Sequence, residues 1–202
     1  MLLTKAIITT NESQAKFIIQ KYNLTQISAQ GLEVFEGTRL GDDKEKEKVV
    51  LLFSSIGIDN LTKGLDYLFE NYDIFKLVNV GTAKAIHTID AQVGDIYIPN
   101  TFLDLQGAEP IFLNYAVGEN YDLTKFGLIL NGICLTINDF KDRDNLGTDF
   151  VADIVDNEAY HILKISKQEN KLDKCSVLKV LTDENDNDIA INNSIQILDF
   201  VL

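Results

Sequence analysis

The sequence predicts a three-layer α/β domain, a central twisted mixed sheet with helices on both faces. Short apolar runs alternate with segments whose apolar residues recur at helical spacing, the pattern of strands and the helices that cover them. Between Phe75 and Pro99, FKLVNVGTAKAIHTIDAQVGDIYIP reads as two buried strands joined by a turn rich in small residues. A chain of 202 residues that is 46% hydrophobic can fill one sizeable core. It has only 2 Pro and 12 Gly, with no Ser/Gly linker and no internal repeat, so residues 1–202 are read as one domain.

Lys5 to Thr10 (KAIITT) is the first strand. Asn11 then opens a helix with Ala15, Ile18, Ile19 and Tyr22 near one face. Asn11 and Gln14 have capping-box spacing, so the Gln14 side chain is expected to return to the Asn11 N–H. Leu32 to Phe35 and Val49 to Ser54 are the next strands, and the charged run Asp42 to Lys48 between them is expected to be a solvated hairpin tip. Ser54-Ser55-Ile56-Gly57 makes a strand-to-helix turn, either a ligand-facing turn with its N–H groups and hydroxyl at the sheet's carboxyl edge or an ordinary tight turn. Leu61, Leu65, Leu68 and Tyr72 line the helix that follows.

The run Leu77, Val78, Val80 is expected to end at Gly81, where the missing side chain leaves room for a ligand. Gly94-Asp95 restarts a strand, Ile96 to Ile98, closed by Pro99. Gly107 to Thr124 lacks periodicity and reads as a long surface excursion, and Phe126 to Leu130 resumes as a strand leading into Gly132-Ile133-Cys134-Leu135-Thr136. Phe150 to Val155 reads as an interior strand, with a helix from about Ala159 to Gln168 that turns Ile162 and Leu163 inward. Cys175 to Leu181 is the last strand, and Thr182-Asp183 closes it. A terminal helix spans Ile189 to Leu202, for which Asp188 is a candidate cap.

Composition narrows the partners. A net charge of −13 repels a nucleic-acid backbone or an anionic membrane, leaving small molecules and proteins. No apolar run approaches the ~20 residues of a membrane span, and the start of the chain lacks the charged leader and apolar core of a signal peptide, so a cytoplasmic protein is expected. Cys134 and Cys175 both sit in apolar runs, which favours buried thiols in a reducing compartment over a disulfide. His87 and His161 each have one carboxylate three residues away, Asp90 and Glu158, with no third ligand, so no metal and no cofactor is expected. Asp183, Asn185 and Asn187 have calcium-loop spacing, but Asp188 and Ser194 stand where such a loop needs Gly and Glu. A Ser-His-Asp nucleophile finds no matching elbow.

Four segments resemble the nucleoside phosphorylase and nucleosidase superfamily. Asn79-Val80-Gly81-Thr82-Ala83 with Val93-Gly94-Asp95 resembles its N-T-G-S-A-G-G and V-G-D signatures, and Ser55-Ile56-Gly57-Ile58-Asp59-Asn60 its G-I-G-x-x-N segment with Ser55 in the first glycine's place. Val155-Asp156-Asn157-Glu158-Ala159 is similar to V-x-M-E-A, and Thr182-Asp183 onward to the S-D-x-x-D motif. The resemblance implies a general acid at Asp183, a glutamate for the ribose hydroxyls at Glu158, Asn157 where a methionine packs on the sugar, and ligand contacts at Ser54, Gly81 and Thr82. It places the stacking ring of the base at either Leu135 or Phe140. In the nucleosidases a glutamate near the start of the first helix activates water; here Gln14 takes that place, with Glu12 as the nearby substitute. Lys84 and Ala85 replace paired glycines, adding bulk where backbone should approach the ligand.

Cleaving an N-ribosidic bond requires the purine to leave as a neutral base while positive charge develops on the sugar, hence an acid for N7, a carboxylate by the ribose and a positioned water. The resemblance therefore implies hydrolysis of a 5′-methylthioadenosine or S-adenosylhomocysteine type nucleoside, a methionine-salvage reaction, by a homodimer or larger homo-oligomer. A phosphorylase is the rival. Thr9-Thr10 replaces the glycine-rich phosphate turn, and only Arg39 and Arg143 could serve its clamp. A member that binds a nucleoside or a protein without turnover is the third reading, suggested by Gln14 and Lys84.

Overall fold

The computed structural model describes residues 3–41, 45–54, 57–86, 92–114, 128–130, 132–141, 146, 151–182, 191, 192, 195 and 198. Its elements in chain order are β1 (Thr4–Thr9), α1 (Glu12–Tyr22), β2 (Thr25–Ile27), β3 (Glu33–Leu40), β4 (Lys46–Phe53), α2 (Ile58–Asn71) and β5 (Ile74–Ala85). There follow β6 (Ile96–Ile98), β7 (Thr101–Asp104), β8 (Ile111–Phe112), β9 (Leu128–Leu130), β10 (Ile133–Thr136), β11 (Ile154–Asp156), α3 (Ala159–Gln168) and β12 (Cys175–Leu181).

β5 is the axis of the mixed sheet. It pairs in parallel with β1 on one side and β12 on the other, and its last residues pair antiparallel with β11. Beyond β1 the order runs β4, β3, β2, and beyond β11 it runs β10, β7, β8. Successive residues of each central strand serve opposite faces. Ala6, Ile8, Val50, Leu52 and Leu77 meet α2 and α3, whose Leu61, Leu65, Leu68, Ile162 and Leu163 are buried against them. Ile7, Val49, Leu51, Val78 and Val80 meet α1 through Ala15, Ile18 and Tyr22, together with the helical residues Ile191, Ile195 and Leu198. Each such leucine contributes about 1.5–3 kcal/mol by leaving water, so the helices are held by one apolar face more than by their own propensity.

The boundaries of α3 and β12 agree with the expected ones, while several others differ. β5 does not stop at Gly81: Gly81, Thr82 and Ala83 pair with Lys179, Val180 and Leu181, and Lys84 and Ala85 pair with Val155 and Ile154. Small residues in this stretch keep the strand going beneath crossing side chains, so they do not form a turn. The charged run is not wholly a hairpin tip, since Lys46, Glu47 and Lys48 lie in β4. There Glu47 bridges Lys5 and Arg39, each at 3.0 Å, and Lys48 reaches Glu36 at 3.2 Å. β3 extends to Leu40 because its whole length pairs with β4. The expected strand Phe150 to Val155 begins instead at Ile154, with Val151 exposed and Asp153 holding the Ile133 N–H at 2.6 Å. Ile111 and Leu113, in the expected surface excursion, are buried, and β8 pairs with β7. Residues 115–124 of that excursion, His87, Asp90 and Phe150 lie outside the described residues.

Candidate functional site

The turn after β1 is organised by side chains. Thr9 Oγ1 accepts from the Asn11 N–H at 3.1 Å and donates to Gln14 Oε1 at 2.8 Å, while Asn11 Oδ1 caps the Gln14 N–H at 3.0 Å. Half of the capping box forms, but Gln14 turns inward to Thr9 and not back to Asn11, because burial makes that internal hydroxyl its partner. Glu12 lies on the outer surface of α1, paired with Lys16 at 2.9 Å, and the Lys16 hydrogen bond and charge hold its carboxyl below the usual range. Glu12 and Gln14 thus face different surroundings, as their separation of about 200° on a helix requires.

A second group of polar side chains sits wholly inside the sheet. Lys179, in the middle of β12, is 0% exposed, and its ammonium meets Asp156 Oδ2 at 2.7 Å and Glu158 Oε1 at 2.9 Å. Burial pushes this ammonium toward neutrality, but the two carboxylates outweigh it and hold Lys179 above the ordinary lysine range. Asp156 is further fixed by the Thr136 hydroxyl at 2.6 Å and the Ala159 N–H at 2.8 Å, and Thr136 Oγ1 in turn accepts from the Tyr160 N–H at 2.9 Å. The start of α3 is thereby tied to the end of β10, which sets where Glu158 projects. Asn79 Nδ2 donates to Glu158 Oε1 at 2.9 Å and approaches the Ile8 carbonyl at 3.4 Å. Both neighbours are acceptors, so the amide is oriented with its oxygen turned away from them.

Gly81 stands directly beneath this group. A Cβ there would collide with Glu158 Oε1 and Lys179 Nζ, so the glycine is required by the close approach of two charged side chains. Among the described residues three buried polar atoms have no partner: Glu158 Oε2, Asn79 Oδ1 and Gln14 Nε2. Leaving such atoms unpaired costs about 1–3 kcal/mol each. Two acceptors and one donor are therefore open to a ligand or water.

Of the other expected site residues, Ser54 is buried at the end of β4 with its N–H on the Thr9 carbonyl at 3.0 Å. Thr82 is half-buried in β5, and Asn157 Nδ2 returns to the Ile137 carbonyl at 2.9 Å. Leu135 is fully enclosed with Ile137, Ala152 and Val155, whereas Phe140 is half-buried, its ring facing the Lys84 ammonium at 5.2 Å from the centroid. Thr182 follows β12 with its N–H on the Ala83 carbonyl at 3.1 Å; Asp183 lies outside the described residues, as do Ser55, Arg143 and Asp188. Among the described residues no group of three His, Cys, Asp or Glu could hold a metal ion, and no helix is long and apolar enough to cross a membrane.

Sequence reasoning missed Lys179, Asp156 and Thr136. Lys179 carried a signal: a lone cation in CSVLKVL, a strand apolar enough to be buried on both faces, demands a buried anion.

Comparison of the sequence with family profiles and with curated proteins finds no match. Solved structures do match over the full chain. Futalosine hydrolase of Helicobacter pylori strain 26695 superposes with a TM-score of 0.78 at 14% identity, covering 100% of this chain and 98% of that one. The 5′-methylthioadenosine/S-adenosylhomocysteine nucleosidase from S. pneumoniae, with the transition-state inhibitor MT-ImmA, gives 0.81 at 17% identity, covering 98% of each chain. The corresponding Neisseria meningitidis nucleosidase, in complex with methylthio-immucillin-A, gives 0.81 at 16%, covering 99% of this chain and 98% of that one. The chain accordingly has the mixed-sheet α/β fold of the nucleoside phosphorylase and nucleosidase superfamily.

Proposed function

We propose that the protein hydrolyses the N-glycosidic bond of a purine nucleoside, releasing the free base, with a 5′-methylthioadenosine or S-adenosylhomocysteine type substrate. One observation carries this reading: Glu158 is pinned through Oε1 by Lys179 and Asn79 and offers a buried, unpartnered Oε2. A carboxylate oxygen in that state suits a sugar hydroxyl and the positive charge that grows on the sugar as the bond breaks. The activities and bound inhibitors of the neighbouring nucleosidases support the substrate class.

In this reading Asp183 protonates the leaving purine and Glu158 binds the ribose hydroxyls. Gln14 orients the attacking water through Nε2 but, as an amide, cannot take its proton, which is lost to solvent water as the new C–O bond forms at the sugar. Ser54, Thr82 and Asn157 border the ligand, and Phe140, which has exposed surface where Leu135 has none, stacks on the base. The protein would act in the cytoplasm, in methionine salvage, as a homodimer or larger homo-oligomer. Gln14 also favours a second reading, binding without turnover. Incubation with a panel of purine nucleosides, with release of free base followed by chromatography and binding by calorimetry, separates the two. Base release from a 5′-thio-substituted adenosine is the expected result; binding without release favours the second reading, and neither result rejects both.

A further inference from the structure

We propose that Asp156 is a positioning residue that holds Lys179 away from the second oxygen of Glu158, so that Glu158 Oε2 stays open for one sugar hydroxyl. The inference rests on the nucleoside reading above and adds the device that makes the glutamate available. An ammonium has three donors and is drawn to every anion within reach. With Glu158 as its sole anion, Lys179 would straddle both carboxylate oxygens and fill the position a hydroxyl needs. The structure shows a different division: Lys179 Nζ lies 2.7 Å from Asp156 Oδ2 and 2.9 Å from Glu158 Oε1, with Oε2 left buried and unpartnered.

Asp156 is built to hold that position. Oδ1 takes the Thr136 hydroxyl and Oδ2 the Ala159 N–H, so the carboxylate is fixed from β10 on one side and from the first turn of α3 on the other. Asn79 adds a second donor to Glu158 Oε1, which reinforces the one-sided grip. One cation against two carboxylates leaves a single negative charge inside the sheet, and the open oxygen is where it faces a ligand.

The test compares a ribonucleoside with its 2′-deoxy and 3′-deoxy counterparts, read as kcat/KM where base is released and as Kd where the nucleoside is only bound. A hydrogen bond to a charged acceptor corresponds to roughly ten- to a hundredfold, so the wild type should prefer the ribonucleoside over at least one deoxy form by that factor. In Asp156→Asn the preference should shrink to within about threefold. Thr136→Val, which keeps the charge but loosens the carboxylate, should lower it by an intermediate factor and decides the matter if Asp156→Asn does not fold. General damage lowers activity on all three nucleosides together and leaves their ratio unchanged. A folded Asp156→Asn or Thr136→Val that keeps the full wild-type preference overturns the inference while the nucleoside reading stands, as does a wild type that handles all three equally. A wild type that neither binds nor cleaves any nucleoside rejects the function, and the inference falls with it.

Discussion

In the proposed hydrolysis, Gln14 is the residue on which the rate would turn. Its side chain is fully buried, its Oε1 is held by Thr9, and its Nε2 has no partner among the described residues. Gln14→Glu would keep an acceptor for the Thr9 hydroxyl and exchange the orphaned amide nitrogen for an oxygen able to take a proton from water. General bases contribute about 10²–10⁴-fold, so Gln14→Glu should raise kcat for base release toward that range, measured under saturating nucleoside. Glu12→Gln should leave kcat unchanged, because Glu12 is solvent-facing and committed to Lys16. A brisk wild type silenced by Glu12→Gln would assign the base to Glu12. The capping-box spacing located the first turn correctly, and Asn11 does cap it. What it could not show was the Thr9 hydroxyl competing for the Gln14 side chain, since that contact exists only once β1 and α1 have packed.

At the scale of the element, β5 and β12 build the candidate site by lying side by side. Their register places Gly81 opposite Lys179 and Asn79 opposite Val177, so one face of two adjacent strands carries the glycine, the amide and the cation. Gly81→Ala would drive a methyl group into the tips of Glu158 and Lys179, and neither can yield without breaking the ion pair that compensates its burial. Overpacking of this kind costs about 1–3 kcal/mol, so Gly81→Ala should lower the chemical-denaturation midpoint accordingly and impair nucleoside binding as well. An unchanged midpoint would show that the two side chains can move aside. This is also where sequence reading fell short. A Gly-Thr-Ala stretch after an apolar run has the composition of a turn, and only the pairing partner shows that the strand continues. By contrast α3 and β12 are legible to the residue, because α3 keeps its apolar positions at helical spacing, β12 is a near-continuous apolar run of strand length, and polar segments bound both.

The whole molecule carries a net charge of −13, and that charge bears on the choice between water and phosphate as the nucleophile. A phosphorylase must gather a dianion against this field, which calls for a local cluster of cations or a turn of free backbone N–H groups. No cluster of free cations is assembled among the described residues of the expected region. The turn after β1 commits the Asn11 N–H and the Gln14 N–H to side-chain oxygens. Arg39 is spent on Glu47 at 3.0 Å and lies over the Tyr22 ring, and Lys179 is enclosed between two carboxylates. An open carboxylate oxygen at Glu158 would repel phosphate further. Base release should therefore proceed at the same rate in phosphate-free buffer and in millimolar phosphate, and should yield the free or 5′-substituted pentose in place of its 1-phosphate. Mass spectrometry of the sugar product, with parallel assays across a phosphate titration, checks both parts. A rate that rises with phosphate, accompanied by a pentose 1-phosphate, would move the protein to the phosphorylases and require an anion site supplied by residues outside those described or by a neighbouring subunit.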